Sequence, residues 1–489
     1  MIIKRILLLG LGLVLAQCSD NIDNLNIDEK AFTDVPGDPL MTNAQRNLVD
    51  QLVNTNVNTN VFRLFAQQWS EATYTDETRY NITTRSIPRR HWDALYKDVL
   101  KDMKEAATRI SAQEIINVSP AQFEEDNAIK ANKLAIIEIQ TVMAYQILVD
   151  TFGDIPYTEA LDIEIINPAY DDDEAIYMDL ISRLNTALDN LNIAYGSFGD
   201  QDLIYSGDDL ATATSKWLTF GNSIKMRIAM RIADVNPEMA QAMVSEVADN
   251  IIVSNAQNAT FPYQATTPNT NPLWVDLVQS NRKDFVPADT FVNALNGLED
   301  PRRDVFFSDP IDGEYIGGTY GSTVQYASFS HIGGAFFEPD LPGDIFDAAE
   351  GNFLLAEAVE RGFISGSANA YYNLAITANM EFWGVSADDT AAYLGRSDVA
   401  YATAEGDYKQ KIGVQKWIAL YNRGFEAWTE YRRLDFPKLL APEGSEFDAV
   451  PKRFTYPVLE RSLNSPGYTA AASAIGGDEL DTPVFWDVN

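Results

Sequence analysis

The chain has few residues of the kinds that bind transition metals or form disulfides. Its 489 residues include one cysteine, Cys18, and two histidines, His91 and His331. A zinc or iron site needs several cysteine or histidine ligands, and neither histidine lies in an HExxH sequence. A lone cysteine cannot form an intramolecular disulfide, so stability must come from burial of a core. We predict no metal site, no cofactor and a structural role for both histidines.

Short signatures of common enzymes are also missing. The chain has no GxSxG, no P-loop, no Rossmann glycine pattern and no EF-hand loop. The run GGTYGS at residues 317–322 lacks the strand-to-helix context of a phosphate-binding loop. The 71 acidic residues would supply a glycosidase-like carboxylate pair by chance, so such a pair carries no information. The residues therefore give no positive evidence for catalysis.

Basic residues are scarce relative to acidic ones. The chain has 36 Lys and Arg against 71 Asp and Glu, which gives a formal net charge of −35. Such a surface repels nucleic acid and anionic lipid headgroups, and it favours solubility. We expect no nucleic-acid partner.

The first residues have the pattern of a secretion signal. Lys4 and Arg5 precede an apolar run at residues 6–16, which is shorter than the ~18 residues needed to span a bilayer. We predict a signal over residues 1–17. Cys18 directly follows it, as does the lipid-acceptor cysteine of a bacterial lipoprotein, although Gln17 is not the small residue usual at that place. A free cysteine beside an ordinary cleavage site is the alternative. The polar, acidic residues 18–39 are predicted to form a tether.

The strongest apolar pattern covers residues 128–152. Apolar residues such as Ile129, Leu134 and Ile137 recur at helical spacing, and others fill nearly every face. A helix that is apolar on most faces must be surrounded by other helices. Gly153 and Pro156 end it. We predict the central helix of a large all-α body. Further helices are predicted at residues 42–54, 61–71, 88–110, 174–195, 215–234, 237–250, 351–363, 368–383, 390–394 and 409–431.

Residues 254–343 differ from the rest of the chain. Helical periodicity is absent except at residues 288–296, and Asn, Thr, Gly, Pro, Phe and Tyr dominate. A long segment without regular structure inside a compact protein is usually functional or disordered. Eight Phe and Tyr residues from Phe306 to Phe337 argue against disorder. We predict an ordered, loop-rich half.

Several segments resemble one known family. They are FGDIPYTEAL after the central helix, WLTFGNSIKMRIAMRI, NFLLAEAVERGFI, QKWIALYNRGFEAWTEYRRLDFPKL and PKRFTYP. Together they are similar to the SusD/RagB family, the nutrient-binding outer-membrane lipoproteins of Bacteroidetes. The resemblance implies tetratricopeptide-like helical pairs over residues 40–489, a lipid anchor in the outer membrane, ligand binding without catalysis, and a SusC-like TonB-dependent transporter as partner. Oligosaccharide capture is the leading hypothesis. Peptide capture, as in the RagB branch, and a surface adhesin or assembly factor without a small ligand remain open.

Two loop regions have the composition of a sugar site, in which aromatic faces lie among polar side chains. They cover residues 69–85 and 263–337, and they contribute seven candidate ligand contacts: Trp69, Arg79, Tyr80, Asn271, Trp274, Arg282 and Tyr320. Tyr80 and Tyr320 are expected to present exposed rings. By contrast, five tryptophans on helical patterns are predicted to be core residues: Trp92, Trp217, Trp383, Trp417 and Trp428.

Overall fold

The computed structural model describes residues 35–488. The predicted signal, Cys18 and the tether as far as residue 34 lie outside the described residues. The structure is 53% helix and 6% strand, which confirms the all-α prediction. The first helix begins at Gly37, so the last three residues of the predicted tether are helical.

The α-helices of the described chain are Gly37–Val53, Phe62–Phe65, Ile87–Asp93, Lys101–Ala112, Pro120–Phe152, Asp173–Asn190, Leu210–Arg231, Pro237–Val247, Pro272–Trp274, Asp289–Gly297, Arg303–Phe306, Ala348–Glu360, Ala368–Phe382, Ala387–Leu394, Tyr408–Ala419, Gly424–Leu434, Glu460–Leu463 and Ser465–Ala474. Short strands form four antiparallel pairs: Trp69–Glu71 with Phe285–Pro287, Ile155–Pro156 with Tyr170–Asp171, Ala259–Phe261 with Gly343–Phe346, and Phe307–Ser308 with His331–Ile332.

The central helix is Pro120–Phe152, which extends the prediction by eight residues at its start. Ser119 caps its first turn by accepting a hydrogen bond from the Gln122 amide, and Gly153 ends it with a positive φ of 76°. Its first turns are exposed and carry no apolar pattern, so the pattern could not reveal them. The helix is long and apolar enough to cross a membrane, but 89% of its most apolar window is buried inside the protein. It is therefore a core helix.

The other helices surround it in pairs, as the tetratricopeptide-like prediction requires. The central helix packs against Asp173–Asn190 and Lys101–Ala112, while Ala348–Glu360 packs against Ala368–Phe382. The predicted core tryptophans Trp217, Trp417 and Trp428 are at most 2% exposed. Trp383 is also buried, and the half-buried Trp92 packs on Phe152 with ring centroids 5.0 Å apart. These core predictions are confirmed.

Apart from the central helix, several predicted helices differ from the structure by up to five residues at an end, such as 174–195 against Asp173–Asn190 and 215–234 against Leu210–Arg231, and two predictions are wrong by more than that. The pattern at residues 61–71 forms a helix only at Phe62–Phe65; Gln67 then takes a positive φ of 51° and the chain continues as a strand. The pattern at residues 409–431 forms two helices, Tyr408–Ala419 and Gly424–Leu434. Gly424 lies against the backbone of Arg63, since a Cβ there would come within 2.7 Å of the Arg63 nitrogen. In both places a tertiary contact overrides the local helical pattern.

A buried network of ion pairs joins the central helix to the helices near the C-terminus. Arg231 lies 2.7 Å from Glu426 and 3.3 Å from Asp150, and it also bonds Glu430. Arg433 binds Glu357 with both terminal nitrogens at 2.6 Å. The Arg231 and Asp150 side chains have no exposed area. Buried charges of this kind are tolerated only when they are paired and hydrogen-bonded.

Candidate ligand-binding surface

Three loops that are far apart in sequence meet at one surface of the loop-rich half. Strand Trp69–Glu71 pairs with Phe285–Pro287. Beyond it, the Ala72 amide donates to the Asp284 carbonyl at 2.7 Å, and the Val324 amide donates to the Ala72 carbonyl at 2.8 Å. The two predicted regions, residues 69–85 and 263–337, are therefore brought together by backbone hydrogen bonds.

The expectation that Tyr80 and Tyr320 present exposed rings is wrong. They are 2% and 7% exposed, and their ring centroids lie 6.5 Å apart. The Tyr320 hydroxyl donates to the Leu64 carbonyl at 2.7 Å, while Gln67 donates to the Tyr80 hydroxyl at 3.3 Å. Burial raises the pKa of Tyr80 to about 12. Both rings support the loops from below and do not reach the surface.

Two further predicted contacts are also buried. Trp69 has no exposed area; its ring packs on Phe285 with centroids 5.6 Å apart, and the Arg63 guanidinium lies 5.3 Å from the ring centre. Asn271 caps the helix Pro272–Trp274 by accepting from the Leu273 amide at 2.8 Å. These two side chains anchor the loops, because none of their area is open to a ligand.

The remaining three candidates reach the surface. Arg282 is exposed and pairs with Asp284 at 2.6 Å. Arg79 is half-buried, and its Nε donates to the Gly321 carbonyl at 2.7 Å. Trp274 is half-buried. Their roles in ligand binding stay predictions.

Tyr74 is an exposed ring of this surface and Tyr326 is a half-buried one, and neither was among the selected candidates. Tyr74 is 58% exposed, and the Arg85 guanidinium lies 5.8 Å from its ring centre. Tyr326 stacks on His331 with centroids 3.9 Å apart and planes 13° apart, while the Lys283 ammonium lies 5.2 Å from the Tyr326 ring centre. An aromatic face beside guanidinium and ammonium donors can pack on a sugar ring and donate hydrogen bonds to its hydroxyls.

The two histidines have the structural roles that were predicted. His91 is fully buried, contacts the Gln51 side chain at 2.8 Å, and has its pKa lowered to about 3 by burial. His331 supports Tyr326 from below and contacts Asp309 at 2.8 Å.

Two buried carboxyl groups lie beneath the Tyr74 loop. Glu71 accepts from the amide and the hydroxyl of Thr78 at 3.0 and 3.1 Å, and its carboxyl also contacts that of Glu77. Arg85 lies 2.9 Å from Glu77 and thus links this pair to the Tyr74 ring. Burial and the neighbouring Glu77 raise the pKa of Glu71 to about 9. Glu71 is therefore protonated at neutral pH and shares its proton with Glu77.

We expect the stability of the Glu71→Gln variant to depend less on pH than the stability of the wild type does. The folded pKa of Glu71 is about 9 against 4.5 as its ordinary value. The folded state thus keeps a proton that the unfolded state releases. This contribution is complete below the ordinary value and is lost as the pH rises towards 9, at up to about 1.4 kcal/mol per pH unit. Glutamine mimics the protonated form. Urea unfolding of both proteins at acidic, neutral and alkaline pH should therefore show that the free energy of unfolding of the wild type falls relative to that of the variant as the pH rises.

The matched control is Glu299→Gln, because the Glu299 side chain is 71% exposed. It should keep the wild-type pH profile. Parallel profiles for wild type and Glu71→Gln would contradict the shared proton.

Three carboxylates could hold a cation elsewhere in the described residues. Oxygens of Asp154, Asp172 and Asp173 lie within 4.8 Å of one another. Each group already accepts a backbone N–H, as Asp154 does from Asp173 at 3.0 Å and Asp172 from Ala175 at 2.9 Å. Burial raises the pKa of Asp154 to about 6 and that of Asp173 to about 7. The cluster joins the end of the central helix to the next helix, and the absence of a metal stays a prediction.

Comparisons with known proteins fit this architecture. A family model described as "Starch-binding associating with outer membrane", of the SusD-like class, matches residues 29–457. No curated protein matches the chain. A solved structure described as a chitin-binding protein is 25% identical, with a TM-score of 0.76 over 93% of this chain and 100% of its own.

Two further solved structures have similar values. A chitin-binding SusD homologue from Flavobacterium johnsoniae is 25% identical, with a TM-score of 0.74 over 92% of this chain and 98% of its own. A SusD homologue from Bacteroides uniformis is 25% identical, with a TM-score of 0.74 over 92% of this chain and 99% of its own. Because the family model spans most of the sequence, the chain belongs to the SusD-like family.

Proposed function

We propose that this protein is a cell-surface lipoprotein that captures oligosaccharides and passes them to a SusC-like TonB-dependent transporter of the outer membrane. It binds its ligand without chemical turnover, and the lipid anchor is attached to Cys18. The observation that carries the proposal is the surface formed by the loops around Tyr74, Arg282 and Tyr326. The family's description as starch-binding and associated with the outer membrane supports it, as does the similarity to two chitin-binding proteins.

The chemistry of the surface suits a glycan. A sugar ring has an apolar face that packs on an aromatic ring and hydroxyls that exchange hydrogen bonds with charged or amide groups. Tyr74 and Tyr326 supply the rings, and Arg85 and Lys283 lie beside them. The backbone bonds between the loops hold the rings in place before binding, which lowers the entropy that is lost on association.

An exposed aromatic surface also separates this proposal from a purely adhesive role. In an adhesin without a small ligand, the loop aromatics would pack inward, as Tyr80 and Tyr320 do, and would leave no accessible ring. Peptide capture would use the same rings. A glycan is favoured because two of the similar structures are described as chitin-binding.

We expect the Tyr74→Ala/Tyr326→Ala double variant to lose glycan binding by about tenfold or more, since buried aromatic contacts at binding sites are commonly worth more than 1 kcal/mol each. The protein without signal and Cys18 is run through native gels that contain glycol chitin, amylopectin or alginate. The wild type should be retarded by at least one of these polymers, and the double variant should not.

Tyr195→Ala is the control, because Tyr195 is a half-buried tyrosine whose hydroxyl lies 3.4 Å from Glu124, away from the three loops. It should migrate as the wild type does. Failure of every polymer to retard the wild type would contradict glycan capture and favour peptides. Equal retardation of the double variant would place the glycan elsewhere on the protein.

A further inference from the structure

Glu71 closes the loop that carries Tyr74. Its Oε2 accepts hydrogen bonds from the Thr78 amide at 3.0 Å and from the Thr78 hydroxyl at 3.1 Å, so residues 71 and 78 meet at the base of the loop. Tyr74 lies midway between them, and the Thr75 carbonyl directly after it accepts from the Arg79 amide at 3.1 Å. The position of the exposed Tyr74 ring therefore depends on this base staying closed.

A second carboxyl group lies in the base of this loop. Glu71 and Glu77 are 2% and 0% exposed, and their carboxyl groups are in contact. Among the described residues, Oε1 of Glu71 meets no N–H or O–H donor. A buried oxygen of this kind lacks a hydrogen bond unless one of the two carboxyl groups keeps its proton. A proton between Glu71 and Glu77 supplies that hydrogen bond.

The charges around the two carboxyl groups allow them one negative charge. Other ionisable groups that face them are Asp76 on the same loop, Arg85 after the loop, Tyr320 from a second loop, and Arg282 and Asp284 beside the paired strand. Within the described part of the chain, Arg85 is the cation at ion-pair distance, with its Nε 2.9 Å from Glu77. Arg282 is paired with Asp284, and burial keeps Tyr320 neutral by raising its pKa well above its ordinary value. Two buried carboxylates beside one guanidinium would repel each other, so one proton is retained.

Arg85 connects the two carboxyl groups to the Tyr74 ring. Its guanidinium lies 5.8 Å from the ring centre, which is within cation–π range, while its Nε stays beside Glu77. The Arg85 side chain is only 23% exposed, so it has little freedom to keep one of these contacts without the other. Repulsion between Glu71 and Glu77 would therefore move Arg85 as well, and the Tyr74 ring would lose the guanidinium at its face.

We propose that Glu71, Glu77 and Arg85 position the Tyr74 ring for the glycan through one shared proton, and that the affinity for the glycan falls when this proton is lost at alkaline pH. Glu71 and Glu77 are buried and act through Arg85 and Tyr74, so they are positioning residues. This inference rests on the proposed function, in which the Tyr74 ring packs on the glycan.

The direction of the pH effect follows from the state of the proton. Burial and the neighbouring Glu77 raise the pKa of Glu71 to about 9. Below that pH the proton is present and the loop base is closed, and above it two carboxylates remain in the base. Binding that requires one proton loses affinity by at most tenfold per pH unit above the pKa. At pH 9.5 the expected loss relative to pH 7 is therefore about fourfold.

The test compares the wild type with Glu71→Gln, whose amide keeps an acceptor for Thr78 and a donor for Glu77 but cannot ionise. Each protein without signal and Cys18 is run at pH 7 and at pH 9.5 through native gels that contain increasing amounts of glycol chitin, amylopectin or alginate. Polymer-free gels at the same pH are the reference. The affinity of the wild type for the polymer that retards it should fall about fourfold, whereas that of Glu71→Gln should change by less than about twofold. Glu299→Gln is the control because its side chain is exposed, and its affinity should fall as that of the wild type does.

A second variant and a second readout complete the test. Glu77→Gln removes the other carboxyl group and should flatten the same pH profile. Trypsin cleavage after Arg79 and Arg85, scaled to the cleavage of a peptide substrate at each pH, reports whether the loop base opens. Cleavage should increase between pH 7 and pH 9.5 in the wild type and in the control, but in neither of the two glutamine variants of the carboxyl pair.

Other outcomes overturn the inference. An equal fall of affinity in the wild type and in both pair variants would show that the titrating group lies elsewhere. A wild-type affinity that is the same at both pH values would also overturn the inference, but it would leave glycan capture standing. If no polymer retards the wild type at either pH, the proposed function fails, and the trypsin result alone then decides whether the shared proton holds the loop.

Discussion

Replacing Arg231 by methionine is expected to lower the free energy of unfolding by about 3–5 kcal/mol, which is the usual cost of removing one partner from a buried ion pair. Arg231 has no exposed area and bonds two glutamates, Glu426 and Glu430, with Asp150 3.3 Å away. Methionine fills a similar volume but leaves three carboxylates without this cation. They must then protonate or remain charged in a medium that solvates them poorly. Urea unfolding at neutral pH measures the loss.

The control for this prediction is Arg89→Met. Arg89 lies 3.5 Å from Asp93 on a helix surface, and its side chain is 51% exposed. Removal of an exposed pair of this kind changes stability by about 0.5 kcal/mol or less. A loss at Arg231 no larger than that at Arg89 would show that the other cations of the network, Arg433 and Lys416, compensate for the missing guanidinium.

Lowering the pH should reduce the loss of stability that the Arg231→Met substitution causes. With the guanidinium gone, at least one of the three carboxylates would bind a proton in the folded state at a higher pH than in the unfolded state. Such a proton stabilises the folded protein most at acidic pH and is lost as the pH rises. The difference between wild type and variant should therefore narrow between neutral pH and about pH 5 in the same urea experiment.

The helical body could be predicted from the sequence because the strongest signal in the sequence is local. Residues 128–152 carry apolar side chains on nearly every face, and a helix of that kind can exist only inside other helices. The tryptophans on regular patterns, such as Trp217 and Trp428, were assigned to the core for the same reason. The exposed start of the central helix was missed because polar residues on a solvent-facing turn carry no periodicity.

The ligand-binding surface could be located only to the level of its loops. Composition selected residues 69–85 and 263–337, and the structure joins these two regions through strands Trp69–Glu71 and Phe285–Pro287. The sequence could not tell which tyrosine faces outward. Tyr74 and Tyr80 stand in the same polar loop, but Tyr80 takes a positive φ of 68° and packs on Tyr320. That contact joins residues 240 positions apart, so no local sequence pattern near Tyr80 indicates it.

We expect Gly333→Ala to cost about 3 kcal/mol of stability, at the upper end of the usual penalty for overpacking a close contact. Gly333 has a φ of −65°, so its backbone does not need glycine for conformational reasons. The constraint is steric, because an added Cβ would come within 1.9 Å of the Val305 carbonyl oxygen. The Gly333 amide also donates to the Phe306 carbonyl at 2.8 Å, which holds the two segments together. In the variant, either this hydrogen bond or the pairing of strands Phe307–Ser308 and His331–Ile332 must therefore be disrupted.

Gly334→Ala, one residue further along, is the matched control, since an added Cβ there meets no atom within 4 Å. Its stability should lie within about 0.5 kcal/mol of the wild type, as is usual for substitutions into open space. His331 supports the Tyr326 ring from the strand that ends just before Gly333. Gly333→Ala should therefore also weaken glycan retardation, and Gly334→Ala should not. Equal urea midpoints for the two variants would show that the Val305 segment moves aside easily, and the Tyr326 side of the ligand-binding surface would then be less rigid than the close contact at Gly333 implies.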